Sequence, residues 1–170
     1  MKSVETTSVP SIITATGFNL SVLGGIPFEV DGEPVDFSQT VTYRGMMFTG
    51  VPNMVWVFGY FRASWTLRVD LVGDFVCRLL QHMDAKGVEE VCVDLREKDK
   101  DMKILPWMDS DNFNPGYLMR SMHLMPKRGE DPVWAHTQDY WQEREELPLV
   151  DLDAEEFVYS RQGAVVRSVA

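Results

Sequence analysis

The sequence has only two cysteines, Cys77 and Cys92, among its 170 residues. Neither belongs to a CxxC pair or to a Cys/His cluster with zinc spacing, which argues against a structural zinc site and against a disulfide-built scaffold. Both lie among apolar residues, so we predict buried free thiols. A chain with such thiols is expected in a reducing cytoplasm.

Basic residues are scarce as well. Lys and Arg number 16 against 26 Asp and Glu, which gives a formal net charge of -10. Phosphate binding needs clustered cations, so we expect no nucleic-acid partner. No apolar run approaches the roughly 20 residues that a membrane helix needs, and the first ten residues lack the apolar core of a signal peptide. We therefore predict no transmembrane segment and a cytoplasmic location.

Familiar catalytic motifs are also missing. The sequence contains no GxGxxG, P-loop, GxSxG or HExxH. His82, His123 and His136 lack a Cys or carboxylate at catalytic spacing, and we expect each to lie at the surface or beside a satisfying partner. Asp109 and Asp111 lack a further carboxylate at loop spacing, which favours loop polarity over a metal site. We accordingly assign no catalytic residue and no metal ligand.

A β-branched run is present near the start, with the sequence SIITATG at residues 11–17. Branched side chains favour an extended backbone, so we predict a strand over residues 12–16 that ends at the flexible Gly17. A short apolar strand ended by glycine is typical of the interior of a parallel sheet. Parallel strands need a crossover unit, however, and nothing ahead of this strand supplies one.

An α/β unit is predicted further along. A second buried strand is expected over residues 54–58, and VEEVCVDL predicts a third from residue 88. Between them we predict a helix over about 66–83, capped by Ser64 or Thr66 and ended by Gly87. Its apolar face comprises Leu67, Leu71, Val72, Phe75, Val76, Leu79, Leu80 and Met83. Strand, helix and strand joined by tight turns indicate an α/β fold.

Short extended pieces come before this unit. PFEVDGEPVDF, residues 27–37, predicts a β-hairpin that turns at Asp31 and Gly32. Pro34 confines the second strand of this hairpin to a sheet edge, because proline donates no ladder hydrogen bond. VTYRGMMF, residues 41–48, predicts another short extended segment.

Residues 98–170 are predicted to be organised more loosely. A charged loop, REKDKDMK at residues 96–103, is followed by a short helix that Asn114 caps, with Pro115 at its first position. Another helix is expected to start at Thr137 or Asp139, and a closing strand lies near the end. We therefore divide the chain into a domain of residues 1–97 and an extension of residues 98–170.

The segment WVFGYFRASWTLRVDLVGDFV, residues 56–76, is the most promising place for a ligand. A helix start presents free N–H groups and a partial positive charge, which suits an anionic or electron-rich ligand. Tyr60, Phe61 and Trp65 add flat apolar surface for an aromatic ring. The alternative is an ordinary strand-to-helix loop with core aromatics, because helix starts far outnumber ligand sites. The residues alone leave both interpretations open.

Six short motifs follow one another in a fixed order. They are ATG at 15–17, Pro-Asn at 52–53, Gly-Tyr at 59–60, Ser-Trp-Thr at 64–66, Pro-Gly-Tyr at 115–117 and Pro-Lys-x-Gly at 126–129. This set resembles the flavin-containing monooxygenase family in its Baeyer–Villiger-like branch, over residues 11 to about 140. The resemblance implies an α/β fold, namely the C-terminal part of a flavoprotein with two dinucleotide-binding domains. The implied fold also includes a β-hairpin insertion and an irregular C-terminal extension.

Three motifs of that family have no counterpart here. They are the Gly-rich motif for FAD, the second one for NADPH, and the monooxygenase fingerprint, and all belong to segments ahead of residue 11. The chain therefore looks like the C-terminal portion of a longer enzyme, which explains why the predicted strand at 12–16 lacks a partner. An excised segment, a truncated reading frame and one half of a split protein all remain open.

The resemblance also implies a set of cofactor-binding residues. They are Thr16, Gly17, Gly59, Tyr60, Ser64, Trp65 and Thr66. The first two would lie at a turn near the cofactor, and the next two at the end of the returning strand. The last three would face the flavin, with backbone N–H groups near its pyrimidine edge.

The implied parent enzyme uses FAD and NADPH to insert or transfer one oxygen of O2 to a ketone, sulfide or amine. Because this chain lacks the phosphate cradles, we expect it to bind neither cofactor tightly and to be inactive alone. Its expected partners are the missing N-terminal portion or a complementing chain, and we also expect self-association through uncovered apolar strands. The alternative function is a non-catalytic α/β interaction module.

Overall fold

The computed structural model describes residues 13–17 and 19–161, and the backbone of residues 164–166. Its longest element is helix α1, Trp65–Lys86, which confirms the helix predicted over 66–83. Four buried apolar side chains recur along it at spacings of three and four residues, the period of a helix face. They are Val72, Phe75, Leu79 and Met83.

The end of α1 is set by Gly87, as predicted. This residue has a left-handed backbone with φ 63°, and the Val88 N–H donates to the Met83 carbonyl at 3.1 Å, the pattern of a Schellman motif. The buried face is narrower than expected, because Leu80 is 55% exposed. Cys77 is also exposed, so its predicted burial is wrong: it lies on the outer side of the helix, away from the core.

Short strands and helices complete the described part of the chain. The strands are β1 Glu29–Val30, β2 Glu33–Pro34, β3 Thr42–Tyr43, β4 Met47–Phe48, β5 Glu90–Val93, β6 Ile104–Pro106, β7 Lys127–Gly129, β8 Phe157–Arg161 and β9 Ala164–Val166. The further α-helices are α2 Gly116–Ser121 and α3 Tyr140–Glu146. Short 3-10 turns occupy Val22–Gly25, Phe37–Gln39, Glu97–Asp99, Met122–Leu124, Pro132–Trp134 and Leu147–Leu149. The fold is therefore mixed α and β with small sheets.

These strands pair antiparallel, in the sheets β1-β2, β3-β4, β6-β7 and β5-β8-β9. The predicted hairpin is confirmed, since Asp31 and Gly32 both have positive φ between β1 and β2. The extended segment at 41–48 is itself a hairpin, because Arg44 and Gly45 turn the chain with φ values of 46° and 64°.

The strand predicted over residues 12–16 is wrong in the described residues. Residues 13–17 have no regular structure and are exposed, with Ile13 at 92%, while Ile12 lies outside the described residues. Strand propensity reflects packing against neighbouring strands rather than a backbone preference of its own, and no described strand pairs with this segment. Gly17 does have the turn conformation expected of it, with φ 83°.

The strand predicted over residues 54–58 is also wrong, although the segment is partly buried as expected. It belongs to no described sheet, and Trp56 and Phe58 are 9% and 7% exposed. The Trp56 N–H donates to the Met46 carbonyl at 2.9 Å, and the Phe58 carbonyl accepts from Arg68 Nη1 at 2.8 Å. Loop and side-chain partners thus satisfy backbone groups that a neighbouring strand would otherwise pair.

The predicted third strand and closing strand form one sheet. β5 pairs with β8, with Val91 opposite Tyr159 and Val93 opposite Phe157. All four side chains are buried beneath α1 in the larger core cluster. Since β5 lies in residues 1–97 and β8 in residues 98–170, the two predicted regions share a sheet; the boundary between them stays a prediction.

A second apolar cluster lies beside the first and is rich in aromatic rings. It gathers Phe48, Trp56, Phe58, Trp107 and Leu118, all of them buried. Residues 54–58 contribute two of these rings, so this cluster holds the chain that leads into α1.

The two helices predicted beyond residue 98 are present with altered starts. α2 begins at Gly116 after Pro115, whose carbonyl accepts the first helical hydrogen bonds, so the predicted cap at Asn114 is wrong. Pro115 has ψ 137°, a non-helical value, and therefore takes the cap position itself. Asp139 caps α3 by accepting from two backbone N–H groups, which decides between the two starts predicted for that helix.

The charged loop at 96–103 contains a folded ionic cluster. Arg96 contacts Asp99, and it also donates to Asp131 at 3.0 Å and Glu156 at 2.9 Å. The Trp134 indole N–H donates to Asp99 at 2.8 Å. Hydrogen bonding from Arg96 holds the pKa of Asp99 below its usual value. The cluster connects this loop to the segments on either side of α3.

Candidate functional site

The loop of residues 58–64 leaves the second core cluster and leads into α1. Its rings and their neighbours form an aromatic cluster, defined as Phe58, Phe61, Trp65, Trp107, Phe113 and His136. Phe61 stacks on Phe113 with centroids 4.8 Å apart, and Trp107 stacks on His136 at 5.4 Å. Such pairs each contribute about 0.5–1.5 kcal/mol beyond their buried area, so the cluster fixes the loop.

Gly59 is required by the close approach of Trp65. A Cβ atom at Gly59 would lie 2.2 Å from Cγ of the Trp65 ring, which is far inside van der Waals contact. The absence of a side chain therefore lets the indole lie directly on the loop backbone. Trp65 remains 51% exposed, so one side of its ring stays open.

Tyr60 points into the protein. Its side chain is 2% exposed, and its hydroxyl donates to Oε2 of Glu143 on α3. Burial raises the pKa of Tyr60, and the neighbouring Glu143 carboxylate raises it further. The phenol therefore stays protonated at neutral pH and serves as a donor to Glu143.

Arg68 is the partner that compensates the buried Glu143 carboxylate. The Arg68 Nη2 atom lies 2.9 Å from Glu143 Oε1, with both side chains at most 2% exposed. The guanidinium also donates to three backbone carbonyls, those of Arg44, Gly45 and Phe58, at 2.6, 3.2 and 2.8 Å. One side chain on α1 thus ties together α3, the β3-β4 turn and the loop.

The start of α1 leaves its three predicted site residues at the surface. Ser64 occupies the N-cap position, but its side chain accepts no hydrogen bond from the helix backbone. The Ser64 hydroxyl instead lies 2.6 Å from the hydroxyl of Thr66. Ser64, Trp65 and Thr66 are all exposed, so the start of α1, which the Ser64 side chain does not cap, and the Trp65 indole are both accessible to solvent.

His136 lies under this loop. Gly45 admits it, since a Cβ at Gly45 would approach the imidazole to 2.6 Å, and Gln138 contacts a ring nitrogen. Burial lowers the pKa of His136 well below 6.5, with a further contribution from the Arg68 charge. The imidazole is therefore neutral at pH 7. His136 was expected at the surface or beside a partner, and the structure gives it a partner.

Thr16 and Gly17 belong to the segment ahead of the first 3-10 turn. Both are exposed in the segment 13–17, and within the described residues no hydrogen bond joins them to residues 59–66. Asp109 accepts from the backbone N–H of Asp111 at 3.0 Å, which agrees with the loop role expected of this pair.

Over residues 13–17 and 19–161, no group of three or more His, Cys, Asp or Glu side chains is arranged to hold a metal ion. No helix in that same part combines the length and apolar character needed to cross a bilayer.

Two curated relatives align with most of this chain. FAD-containing monooxygenase EthA from Mycobacterium tuberculosis is 41% identical over 155 residues, which cover 91% of this chain and 31% of the relative. EthA from Mycolicibacterium smegmatis is 39% identical over 166 residues, 98% of this chain and 33% of the relative. In the region it spans, this chain belongs to the FAD-containing monooxygenase family. No protein-family model matches the sequence, and no solved structure matches it.

This chain spans about a third of the length of these relatives. The match is consistent with a C-terminal portion. The resemblance inferred from the six ordered motifs is thereby confirmed at the level of the family. Both relatives are named as FAD-containing enzymes, and these names are the source of the link to FAD.

Sequence reasoning missed the residues that fix the loop of residues 58–64. The burial of Arg68 could have been predicted, because this residue stands four residues before Val72 and continues the buried stripe of α1. No sequence pattern predicted the burial of Glu143, since its partner Arg68 lies 75 residues away in the sequence. His136 likewise meets Trp107 only through the fold.

Proposed function

We propose that this chain is the C-terminal portion of an FAD- and NADPH-dependent monooxygenase of the Baeyer–Villiger-like branch. The enzyme inserts one oxygen of O2 into a ketone or transfers it to a sulfide or amine. The 41% identity over 155 residues to an FAD-containing monooxygenase carries the proposal. The ordered motifs from ATG at 15–17 to Pro-Lys-x-Gly at 126–129 support the choice of branch.

The start of α1 fits the flavin end of FAD. Its first turn offers N–H groups that the Ser64 side chain does not cap, and these suit the electron-rich carbonyl edge of the flavin ring. Trp65 offers a half-exposed indole for the flat face of that ring. Donors beside a flat apolar surface are the chemistry that an isoalloxazine ring requires.

The proposed roles follow from these positions. When bound, FAD supplies the redox chemistry by which O2 is activated. Ser64, Trp65 and the backbone at Thr66 hold the ring edge, and Gly59 lets the Trp65 indole lie against the loop. Tyr60 acts indirectly, because its hydrogen bond to Glu143 anchors the loop from inside. The remaining proposed cofactor contacts are Thr16 and Gly17.

The other two thirds of such an enzyme supply the phosphate sites. This sequence has no GxGxxG, so we propose that the chain alone binds FAD and NADPH weakly and does not oxidise substrate. Its partner is then an N-terminal portion or a complementing chain, in the cytoplasm. Ile13, which is 92% exposed, provides apolar surface for that partner to cover.

Titration of this chain with FAD at millimolar concentration tests the flavin site directly. The indole N–H resonance of Trp65 should shift and saturate, while that of Trp141 should not. Trp141 is a matched control because it is 66% exposed on α3. An unmoved Trp65 resonance would show that this loop does not contact the flavin.

Combination with the N-terminal two thirds of Mycobacterium tuberculosis EthA tests the activity. We expect retained FAD and NADPH-dependent O2 consumption only when both portions are present. Trp65→Ala should weaken FAD retention and Trp141→Ala should not. Thr66→Pro removes one N–H from the first turn at small cost to the helix, so the flavin reduction potential should fall. NADPH-dependent O2 consumption by this chain alone would contradict the proposal that activity requires both portions.

A further inference from the structure

Tyr60 and Glu143 form a buried pair of a phenol and a carboxylate. The Tyr60 side chain is almost fully buried, and its hydroxyl donates to Oε2 of Glu143. A phenol that loses one electron becomes a strong acid, so its oxidation in a buried site requires a base that already lies within hydrogen-bond reach. Glu143 meets this requirement. The pair therefore has the geometry for oxidation of Tyr60 coupled to transfer of its proton.

Arg68 does not prevent this proton transfer. Its guanidinium lies 2.9 Å from Oε1 and 3.1 Å from Oε2 of Glu143, which makes the carboxylate a weaker base than an unpaired one. An oxidised phenol is nevertheless a far stronger acid than a carboxylic acid, so the proton still moves to Glu143. The three backbone carbonyls that accept from Arg68 continue to solvate its charge afterwards.

Two more oxidisable rings connect Tyr60 with the surface. The Tyr140 ring lies edge-on to Tyr60 with centroids 6.1 Å apart, and the Trp141 ring lies 5.3 Å from that of Tyr140. Trp141 is exposed, so its indole meets solutes directly. Because electron transfer between rings slows steeply with distance, contacts this short allow Tyr60 to exchange electrons with the surface in two steps.

Arg144 favours Tyr60 over Trp141 as the place where an oxidising equivalent rests. The guanidinium carbon of Arg144 lies 5.7 Å from the centroid of the Trp141 ring, and a cation at that distance raises the energy of a second positive charge on the indole. Tyr60 becomes a neutral radical instead, because its proton passes to Glu143. Its burial also keeps the radical away from other molecules with which it would couple.

We propose that Tyr60 is a redox-active tyrosine, which holds one oxidising equivalent that an oxygen-derived radical delivers through Trp141 and Tyr140. One electron leaves the Tyr60 ring for the oxidant, and the phenolic O–H bond breaks as an O–H bond forms on Glu143. Reduction along the same path reverses both changes, because the buried carboxylic acid keeps the proton beside the phenoxyl oxygen.

The role of this site is to remove radicals from the exposed Trp141 indole, where they would react further with O2. It goes beyond the proposed monooxygenase function, which supplies the setting in which oxygen-derived radicals arise. The site itself requires no cofactor, so it can be tested in this chain alone.

The test uses this chain without cofactor and a photogenerated ruthenium(III) tris-bipyridine complex as the one-electron oxidant. We expect a long-lived tyrosyl radical in freeze-quench electron paramagnetic resonance spectra, and Tyr60→Phe should lower its yield at least about tenfold. The matched control is Tyr159→Phe. Tyr159 is equally buried but donates to the Leu152 carbonyl at 2.7 Å, which does not take up a proton. An undiminished radical in Tyr60→Phe would overturn the proposal.

A second variant tests the proton transfer to Glu143. Glu143→Gln retains a hydrogen-bond acceptor for Tyr60 but no base, so the long-lived radical should be lost in a chain that circular dichroism shows to be folded. Glu146→Gln, on the same helix with a partly exposed side chain, should leave the radical unchanged. Independently of any variant, radical formation should slow at least about twofold in D2O, because an O–H bond breaks. A radical that persists in Glu143→Gln, or an unchanged rate in D2O, would overturn the proton transfer.

The path to the surface is tested by Trp141→Phe, because phenylalanine is much harder to oxidise than tryptophan. Formation of the Tyr60 radical should slow at least about tenfold, and an unchanged rate would overturn this path. Since no flavin is present, each of these outcomes is independent of the proposed function.

Discussion

Replacing Glu143 with glutamine removes the charge that compensates the most buried cation described in the protein. Arg68 is 0% exposed, and its guanidinium meets Glu143 through Nε and Nη2 at distances between 2.9 and 3.2 Å. The glutamine side chain has nearly the same shape, so packing around it changes little. The effect of Glu143→Gln therefore isolates the ion pair.

The expected cost follows from the burial of both partners. Removing one member of a buried ion pair leaves an uncompensated charge and typically costs about 3–5 kcal/mol. Part of this cost is offset in Glu143→Gln. The three carbonyls still accept from Arg68, and the Tyr60 hydroxyl still contacts the side chain at position 143. We therefore expect Glu143→Gln to lower the free energy of unfolding by about 3 kcal/mol.

Urea unfolding at pH 7.5, followed by circular dichroism, measures this change. The matched control is Glu146→Gln, one turn further along the same helix. Glu146 pairs with Arg44 at 3.2 Å, but its side chain is 41% exposed, so its loss should cost less than about 1 kcal/mol.

A double-mutant cycle completes the test. Arg68→Met alone leaves the Glu143 carboxylate buried and unpaired, so the combined variant should cost less than the sum of the single ones by at least about 1 kcal/mol. A Glu143→Gln cost as small as that of Glu146→Gln, or additive single effects, would refute the view that this pair anchors the loop.

Three further outcomes are expected. Phe75→Ala and Leu79→Ala should each cost about 2–5 kcal/mol in thermal or urea unfolding, whereas Leu80→Ala, at a 55% exposed position, should change stability by less than about 0.5 kcal/mol. Because the pKa of His136 is lowered in the folded state, the contribution of this residue to the free energy of unfolding is complete above pH 6.5 and is lost as the pH falls below that value. His136→Asn should therefore flatten the dependence of stability on pH between pH 5 and 7. An unchanged dependence would contradict the burial of His136 as a neutral group. The isolated chain should self-associate through its uncovered apolar surface. A monodisperse monomer in light scattering would contradict this prediction.

Sequence patterns succeeded in indicating the family but failed to predict one of the strands. Six short motifs were enough to indicate the monooxygenase family, because each is contiguous and their order is retained along the chain. The segment 54–58 shows the opposite case. Its apolar composition predicted burial correctly, but a strand requires a neighbour at hydrogen-bonding distance, and the Met46 carbonyl and Arg68 side chain took that place.

The sequence by itself determined helix α1, its end at Gly87, the turn at Asp31 and Gly32, and the membership of the family. These features depend on spacing or turn chemistry within a few residues, where local preference and final structure agree. Only the tertiary structure decided that Arg68 meets Glu143 across 75 residues and that His136 lies beneath the loop as a neutral ring. The partners of these groups come from distant parts of the chain, and their energies depend on burial, which exists only after the chain has folded.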